Sequence, residues 1–360
     1  MISHPSARSA LRSAQNGIAH SLLGPWRNNR LLVLCYHGIA MDDEAKWNPA
    51  LYVNQSTFRQ RMKMIRDAGC NVLSLPEALY RLSRKSLPER SVVLTFDDGF
   101  HDFHRCAYPV LQEFRYPATV YLSTYYSVNQ LPVFDPMCSY LCWKGLGKTI
   151  DITGIAPQGG SWQLSTTADC AALFRCIWEH VREMRMPACE KDALAERLAG
   201  RVGVDYEEIR RRRLLHLMTP EEVREVSRND ISIELHTHRH RTPVGRECFL
   251  KEIEENRRLI MEMTETTEPP EHFCYPSGNY HASFAQWLRE AGVVSATTCA
   301  AALAEPDFDP MAMPRYLDQE NLSEFRFAGW LNGLMPWAKA RMNRNAHITN
   351  RPATAEVAPY

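Results

Sequence analysis

The chain has 360 residues, 45% hydrophobic and 23% charged, the proportions of an ordinary globular protein. Basic and acidic residues number 42 each, and the resulting net charge of zero excludes a polyanion-binding role built on bulk basicity. The eleven cysteines form no CxxC pair, which excludes a zinc ribbon and a thioredoxin-type motif; scattered as they are, they fit a reducing, cytoplasmic compartment.

Residues 1–30 read as an N-terminal extension, polar over 1–16 and lacking the apolar core of a secretory signal. No run approaches the roughly 18 apolar residues of a spanning helix. The first strand-length run, 31–35 (LLVLC), leads into Tyr36-His37-Gly38. A helix follows over 56–68, with Phe58, Met62 and Ile65 on one face and Gly69 at its end. Residues 91–95 (SVVLT) lead into Phe96-Asp97-Asp98-Gly99, and 118–122 (ATVYL) end at Ser123-Thr124. The stretch 135–216 breaks this rhythm. It carries Gly/Pro turns and then a helical pattern over 168–198, and it reads as an insertion that either caps a site or simply packs. The four arginines Arg210 to Arg213 spread around a helix, which makes a solvated face and not a nucleic-acid site.

Thr219-Pro220-Glu221-Glu222 is a capping box with proline at the first helical position. The run 231–235 leads into His236, an amphipathic helix spans 246–264, and 273–275 lead into Pro276-Ser277-Gly278. A helix over 283–291 stops at Gly292. A C-terminal helix is expected over 321–345, where Phe325, Phe327, Trp330, Leu331, Leu334 and Trp337 precede Lys339, Arg341 and Arg344; it packs on the body of the protein or makes a peripheral membrane contact. Residues 346–360 read as a disordered tail.

Strands alternating with helices define an α/β class, and near-continuous apolar strands suggest a parallel sheet buried on both faces. The polar residues collect at the C-terminal strand ends, where parallel barrels place their sites.

Asp97 and Asp98 close a buried strand, where desolvation and mutual repulsion oppose ionising both, and a cation offsets that cost. Neighbouring side chains on a strand point opposite ways, so one carboxylate can hold a metal while the other serves as a base. His236-Thr237-His238-Arg239-His240 offers imidazoles suited to a divalent ion, although spacing alone leaves open which two ligate. Thr237 stands where an HExxH motif has glutamate.

TFDDG followed in order by HTxxH resembles the polysaccharide deacetylase family, the NodB-homology or carbohydrate esterase family 4 group, across about 31–315. The resemblance implies a distorted (β/α)7-type barrel with the helical insertion added, over 31–320. It implies a metal-dependent hydrolase that removes N-acetyl groups from a saccharide in surface or exopolysaccharide biosynthesis. Asp97 would be the general base, and Asp98, His236 and His240 would hold a divalent metal, zinc or a similar ion. Two departures stand out. The Arg-x-x-Pro segment of many members is replaced by Phe273-Cys274-Tyr275-Pro276-Ser277-Gly278, which leaves Arg315 as the candidate partner of the base. No late Leu-x-Ile-His segment is present, which leaves His37 as the candidate acid, with a packed histidine as the alternative. Tyr121, Tyr275 and Pro276 are the candidate substrate-binding residues, and the strand end at Tyr121 to Ser123 is the candidate source of an oxyanion-binding N–H. An amidase of the same fold acting on a non-sugar amide, or a non-catalytic carbohydrate-binding relative, remains open. Trp143, Trp162 and Trp178 in the insertion favour sugar, since rings stack on pyranose faces.

Overall fold

The apolar runs become strands because β-branched and aromatic residues in short stretches bury both faces of a pleated chain. The computed structural model describes residues 25–346, so most of the expected N-terminal extension and nearly all of the expected tail lie outside the described residues. Twelve strands follow one another among the described residues: β1 (Leu32–Tyr36), β2 (Gly38–Ala40), β3 (Tyr52–Asn54), β4 (Asn71–Val72), β5 (Ser91–Phe96), β6 (Ala118–Leu122), β7 (Thr149–Asp151), β8 (Ser161–Gln163), β9 (Ile231–Leu235), β10 (His272–Cys274), β11 (Ser295–Thr297) and β12 (Tyr316–Leu317).

The main sheet is parallel, in the order β11-β10-β9-β6-β5-β1-β12, with β4 on the first part of β5. It curls back on itself. Met313 N–H donates to Ala296 O and Met313 O accepts from Thr298 N–H, next to β11. Three residues later, Tyr316 pairs with Leu34 of β1. One short late segment therefore joins the two ends of the sheet into a seven-stranded, distorted barrel.

Alternation along each strand separates two cores. Leu32, Leu34, Tyr36, Val92, Leu94, Phe96, Val120 and Leu122 pack with the surrounding helices, among them Gln55–Asp67 and Arg246–Thr264. Leu31, Val33, Val93, Tyr121 and Cys274 form a smaller cluster with Ala304, Met313 and the helix Leu75–Ser83. Cys35, Thr95 and Asp97 continue this second alternation towards the strand ends.

The insertion builds a third core. Met137, Leu141, Leu173, Ile177, Leu198 and Val202 pack together and meet Ala40, Ala45 and Tyr52 from the β2–β3 region. The expected helix over 168–198 is in fact two, Thr167–Glu183 and Ala188–Val202, because Pro187 takes an extended conformation as the cap of the second. The C-terminal helix also divides, into Glu324–Leu331 and Leu334–Ala346, at Gly333 with its φ of 89°. The arginine run is held by ion pairs: Arg210 to Asp192, Arg211 to Glu208, Arg212 to Asp42 and Arg213 to Glu222. The Thr219 capping box forms as read, with Thr219 Oγ1 accepting from Glu222 N–H and Glu222 accepting from Thr219 N–H. No described helix is long and apolar enough to cross a membrane.

Candidate active site at the C-terminal strand ends

Asp97 extends the β5 ladder by one residue, its N–H donating to Tyr36 O. Its carboxylate is buried and gripped by Arg315 from the closing segment, with Nη1 donating to Oδ1 at 2.6 Å and Nη2 to Oδ2 at 2.8 Å. The remaining Arg315 donors are also used, on Thr95 Oγ1, Cys274 Sγ and Thr298 O. Burial opposes the charge on Asp97, but the Arg315 guanidinium overcomes it and holds the carboxyl far below the usual range. Cys35 and Cys274 add weak S–H contacts to Asp97 Oδ2 at 3.6 and 3.4 Å. Burial raises both thiols well above their ordinary pKa, which removes either cysteine as a nucleophile.

Asp98 leaves the ladder. Its φ of 68° and that of Gly99, 83°, turn the chain so that the Asp98 carboxylate reaches the loop after β9. There Asp98 Oδ1 lies 3.0 Å from His236 Nε2 and 3.1 Å from His240 Nε2. His240 and Thr237 are left-handed too, at φ 53° and 62°, a costly conformation for β-branched Thr237 and one that brings residues 236 and 240 to the same side. The structure settles which histidines converge. His238 points away, its Nδ1 2.9 Å from Thr124 Oγ1.

The donor set fits a divalent cation. One ligand atom each from Asp98, His236 and His240 lies within 4.8 Å of the others. His236 Nδ1 sits 2.9 Å from Cys274 O, and since a carbonyl only accepts, this nitrogen carries the proton. Nε2 of a neutral His236 then presents a lone pair to a carboxylate oxygen, which is repulsive unless a cation lies between them.

His37, after β1, places Nε2 3.7 Å from Asp97 Oδ2. Its Nδ1 is buried without a hydrogen-bond partner, and burial lowers its pKa. The three expected substrate contacts do not reach the site. Tyr121 is fully buried beneath Arg315, its ring centre 5.6 Å from the guanidinium carbon, because its place in the strand alternation turns it into the inner cluster. Tyr275 is buried on the helix side, its hydroxyl donating to Met311 O, and Pro276 is buried beside it. The Ser123 N–H, within the stretch expected to supply an oxyanion donor, donates instead to Asp98 O.

Two residues that hold the site escaped the sequence reading. Asn256, buried on the helix Arg246–Thr264, accepts from His236 N–H at 2.9 Å and donates to Leu122 O at 2.9 Å and to Thr124 Oγ1 at 3.1 Å, tying the end of β6 to that of β9. Glu252, one turn earlier, accepts from Arg239 N–H and from the Arg241 side chain and fixes the loop backbone. Both interrupt the apolar stripe Phe249, Ile253, Ile260, Met263, and polar residues on a buried helix face were the available signal.

The polysaccharide deacetylase family model matches residues 84–296, and the chain belongs to that family. Among curated proteins it is 34% identical to the poly-beta-1,6-N-acetyl-D-glucosamine N-deacetylase of Escherichia coli (strain K12) over 95 residues, 26% of this chain and 14% of that protein. It is 30% identical to YxkH of Bacillus subtilis (strain 168) over 152 residues, 40% of this chain and 51% of that protein. The chain thus spans about half the length or less of these relatives. Among solved structures, the Streptococcus pyogenes deacetylase PplD in complex with acetate superposes with a TM-score of 0.54 at 19% identity, covering 85% of this chain and 97% of that one. IcaB from Ammonifex degensii gives 0.52 at 16% identity, covering 84% and 97%. These two likenesses bear on the fold, which they share with this chain.

Proposed function

We propose that this protein is a metal-dependent hydrolase that removes N-acetyl groups from a polysaccharide during exopolysaccharide synthesis. The observation that carries the reading is the juxtaposition at one strand end of a buried, arginine-clamped carboxylate with an Asp-His-His ligand set. The names of the curated relatives point to the same substrate class.

Asp98, His236 and His240 would hold the ion, zinc or a similar divalent cation, and when bound it supplies a Lewis acid for the acetyl carbonyl and for water. Asp97, kept ionised and fixed in orientation by Arg315, accepts the proton of the attacking water. His37, neutral through burial and 3.7 Å from Asp97 Oδ2, relays a proton to the departing nitrogen. A carbon–oxygen bond forms, the carbon–nitrogen bond breaks, acetate leaves, and the sugar keeps a free amine.

Acetate release from N-acetylglucosamine oligomers, with wild type, Asp97→Asn and His236→Gln in parallel and with or without a chelator, tests the proposal. The expected result is metal-restored release by wild type and loss of more than about a hundredfold in either variant. Release that survives chelation and both substitutions would overturn the assignment. No release by metal-loaded wild type from any oligomer would point to a non-sugar amide or to a relative that only binds.

A further inference from the structure

A second set of ligand-type side chains lies outside the Asp98 centre. His101 and His104 share one face of the helix that begins just after the TFDDG turn, a helix whose next turn, Phe103–Ala107, is of the wider π type. Glu222 and Glu225 share one face of the helix Pro220–Ser227, which lies against it. His101 Nδ1 is 3.0 Å from Glu222 Oε1, and His104 Nδ1 is 3.9 Å from the same oxygen.

We propose that His101, His104 and Glu222 form a second site for a divalent transition metal of the zinc class, distinct from the Asp98 centre. Three features carry it. One ligand atom from each residue lies within 4.8 Å of the others. Two ligands of a tetrahedral zinc stand about 3.3–3.5 Å apart, and the 3.0 and 3.9 Å separations bracket that value. His104 Nδ1 is shielded from solvent yet makes no hydrogen bond, while its Nε2 lies 3.0 Å from Glu225 Oε2. A carboxylate on the far ring nitrogen fixes the tautomer that leaves Nδ1 free to ligate, the usual support of a metal-bound imidazole.

Arg213 opposes the ion. Its Nη1 donates to Glu222 Oε1 at 2.7 Å and lies 3.2 Å from His101 Nδ1, while its other nitrogen is anchored on Leu217 O. A fixed positive charge beside the ligands weakens cation binding, so the site is one of moderate affinity. It is open enough to fill, with side-chain exposures of 14%, 22% and 16% for His101, His104 and Glu222. An ion there would pin the segment that carries Asp98 to the helix Pro220–Ser227, reinforcing the link already made by His101 N–H to His216 O and Met218 N–H to Gly99 O.

Titration of the metal-free full chain with Co²⁺, read by visible absorption and equilibrium dialysis, tests this. Wild type is expected to bind two equivalents. His104→Gln should lose one, His236→Gln should lose the other, and the two losses are separable whatever the first centre proves to do. Glu225→Gln should weaken the second equivalent by about ten- to a hundredfold. Arg213→Gln should shift the same equivalent in the opposite direction, at least several-fold tighter, which guards against misreading a folding defect in His104→Gln as lost binding. Equal stoichiometry in wild type and His104→Gln, or no change in affinity in Arg213→Gln, overturns the proposal.

Discussion

Arg315→Met removes the guanidinium from a side chain that is 1% exposed, while keeping much of its bulk. Asp97 would then be a carboxylate beside Cys35, Cys274 and His37, without the guanidinium that offsets its desolvation. Removing one partner of a buried ion pair costs roughly 3–5 kcal/mol, so unfolding in urea should lose that much at pH 7.5 in the presence of a chelator. Asp97→Leu leaves the complementary charge stranded and should cost a similar amount. The double variant removes both charges together. It should lie within about 1–2 kcal/mol of wild type, because the Coulombic gain of the pair and its desolvation penalty largely cancel. The cycle therefore predicts strong non-additivity. Additive costs, or single variants that each lose less than about 1 kcal/mol, would refute the idea that the pair acts as one electrostatic unit. Acetate release serves as an independent readout: it should vanish in all three variants, including the stable double one.

Asn256→Leu should strand the His236 N–H and the Leu122 carbonyl, at about 1–3 kcal/mol each in denaturant melts, and lower metal affinity at the Asp98 centre about ten- to a hundredfold in dialysis. Glu234, buried on β9 and accepting from the N–H groups of Glu271 and His272, has its carboxyl pushed by burial up to about 8. The folded state holds this proton more tightly than the unfolded chain, so stability is greatest below the unfolded pKa of about 4.3 and falls as pH rises towards 8, by at most about 1.4 kcal/mol per unit. Glu234→Gln keeps an oxygen for both N–H donors and should flatten that slope in melts run from pH 5 to 8; an unchanged slope would exclude Glu234 as its source. Gly99→Ala places a Cβ 2.3 Å from Leu122 Cδ1 at a φ of 83°, and should cost about 1–3 kcal/mol and depress acetate release by displacing Asp98.

The legible parts of this chain were those in which a residue's neighbours in sequence decide its environment. The runs ending at Asp97 and His236 declared strands, and their polar ends declared a site. Arg315 was reachable only by asking what could replace a missing arginine, and its two hydrogen bonds to Asp97 arise from the closing segment, a contact between positions 218 residues apart. Tyr121 and Tyr275 misled because each sits at a strand end near the site while its side chain faces a core, and a continuous apolar strand carries no alternation to show which way it points. Asn256 and Glu252 were hidden in a helix that reads as simply amphipathic. Which histidines converge depended on left-handed turns at Thr237 and His240, which ordinary strand or helix periods do not describe.

The closing segment gives the molecule a built-in order of events. Asp97 emerges during synthesis more than two hundred residues before the arginine that holds it charged, and that arginine lies on the stretch whose pairing with β1 and β11 completes the ring. A nascent or truncated chain ending before residue 313 contains Asp97, Asp98, His236 and His240, but lacks the counter-charge that lets Asp97 stay ionised in an apolar surrounding. On the proposed role of Asp97 as base, its competence would report that the last strand has docked, and a chain lacking Arg315 would release no acetate.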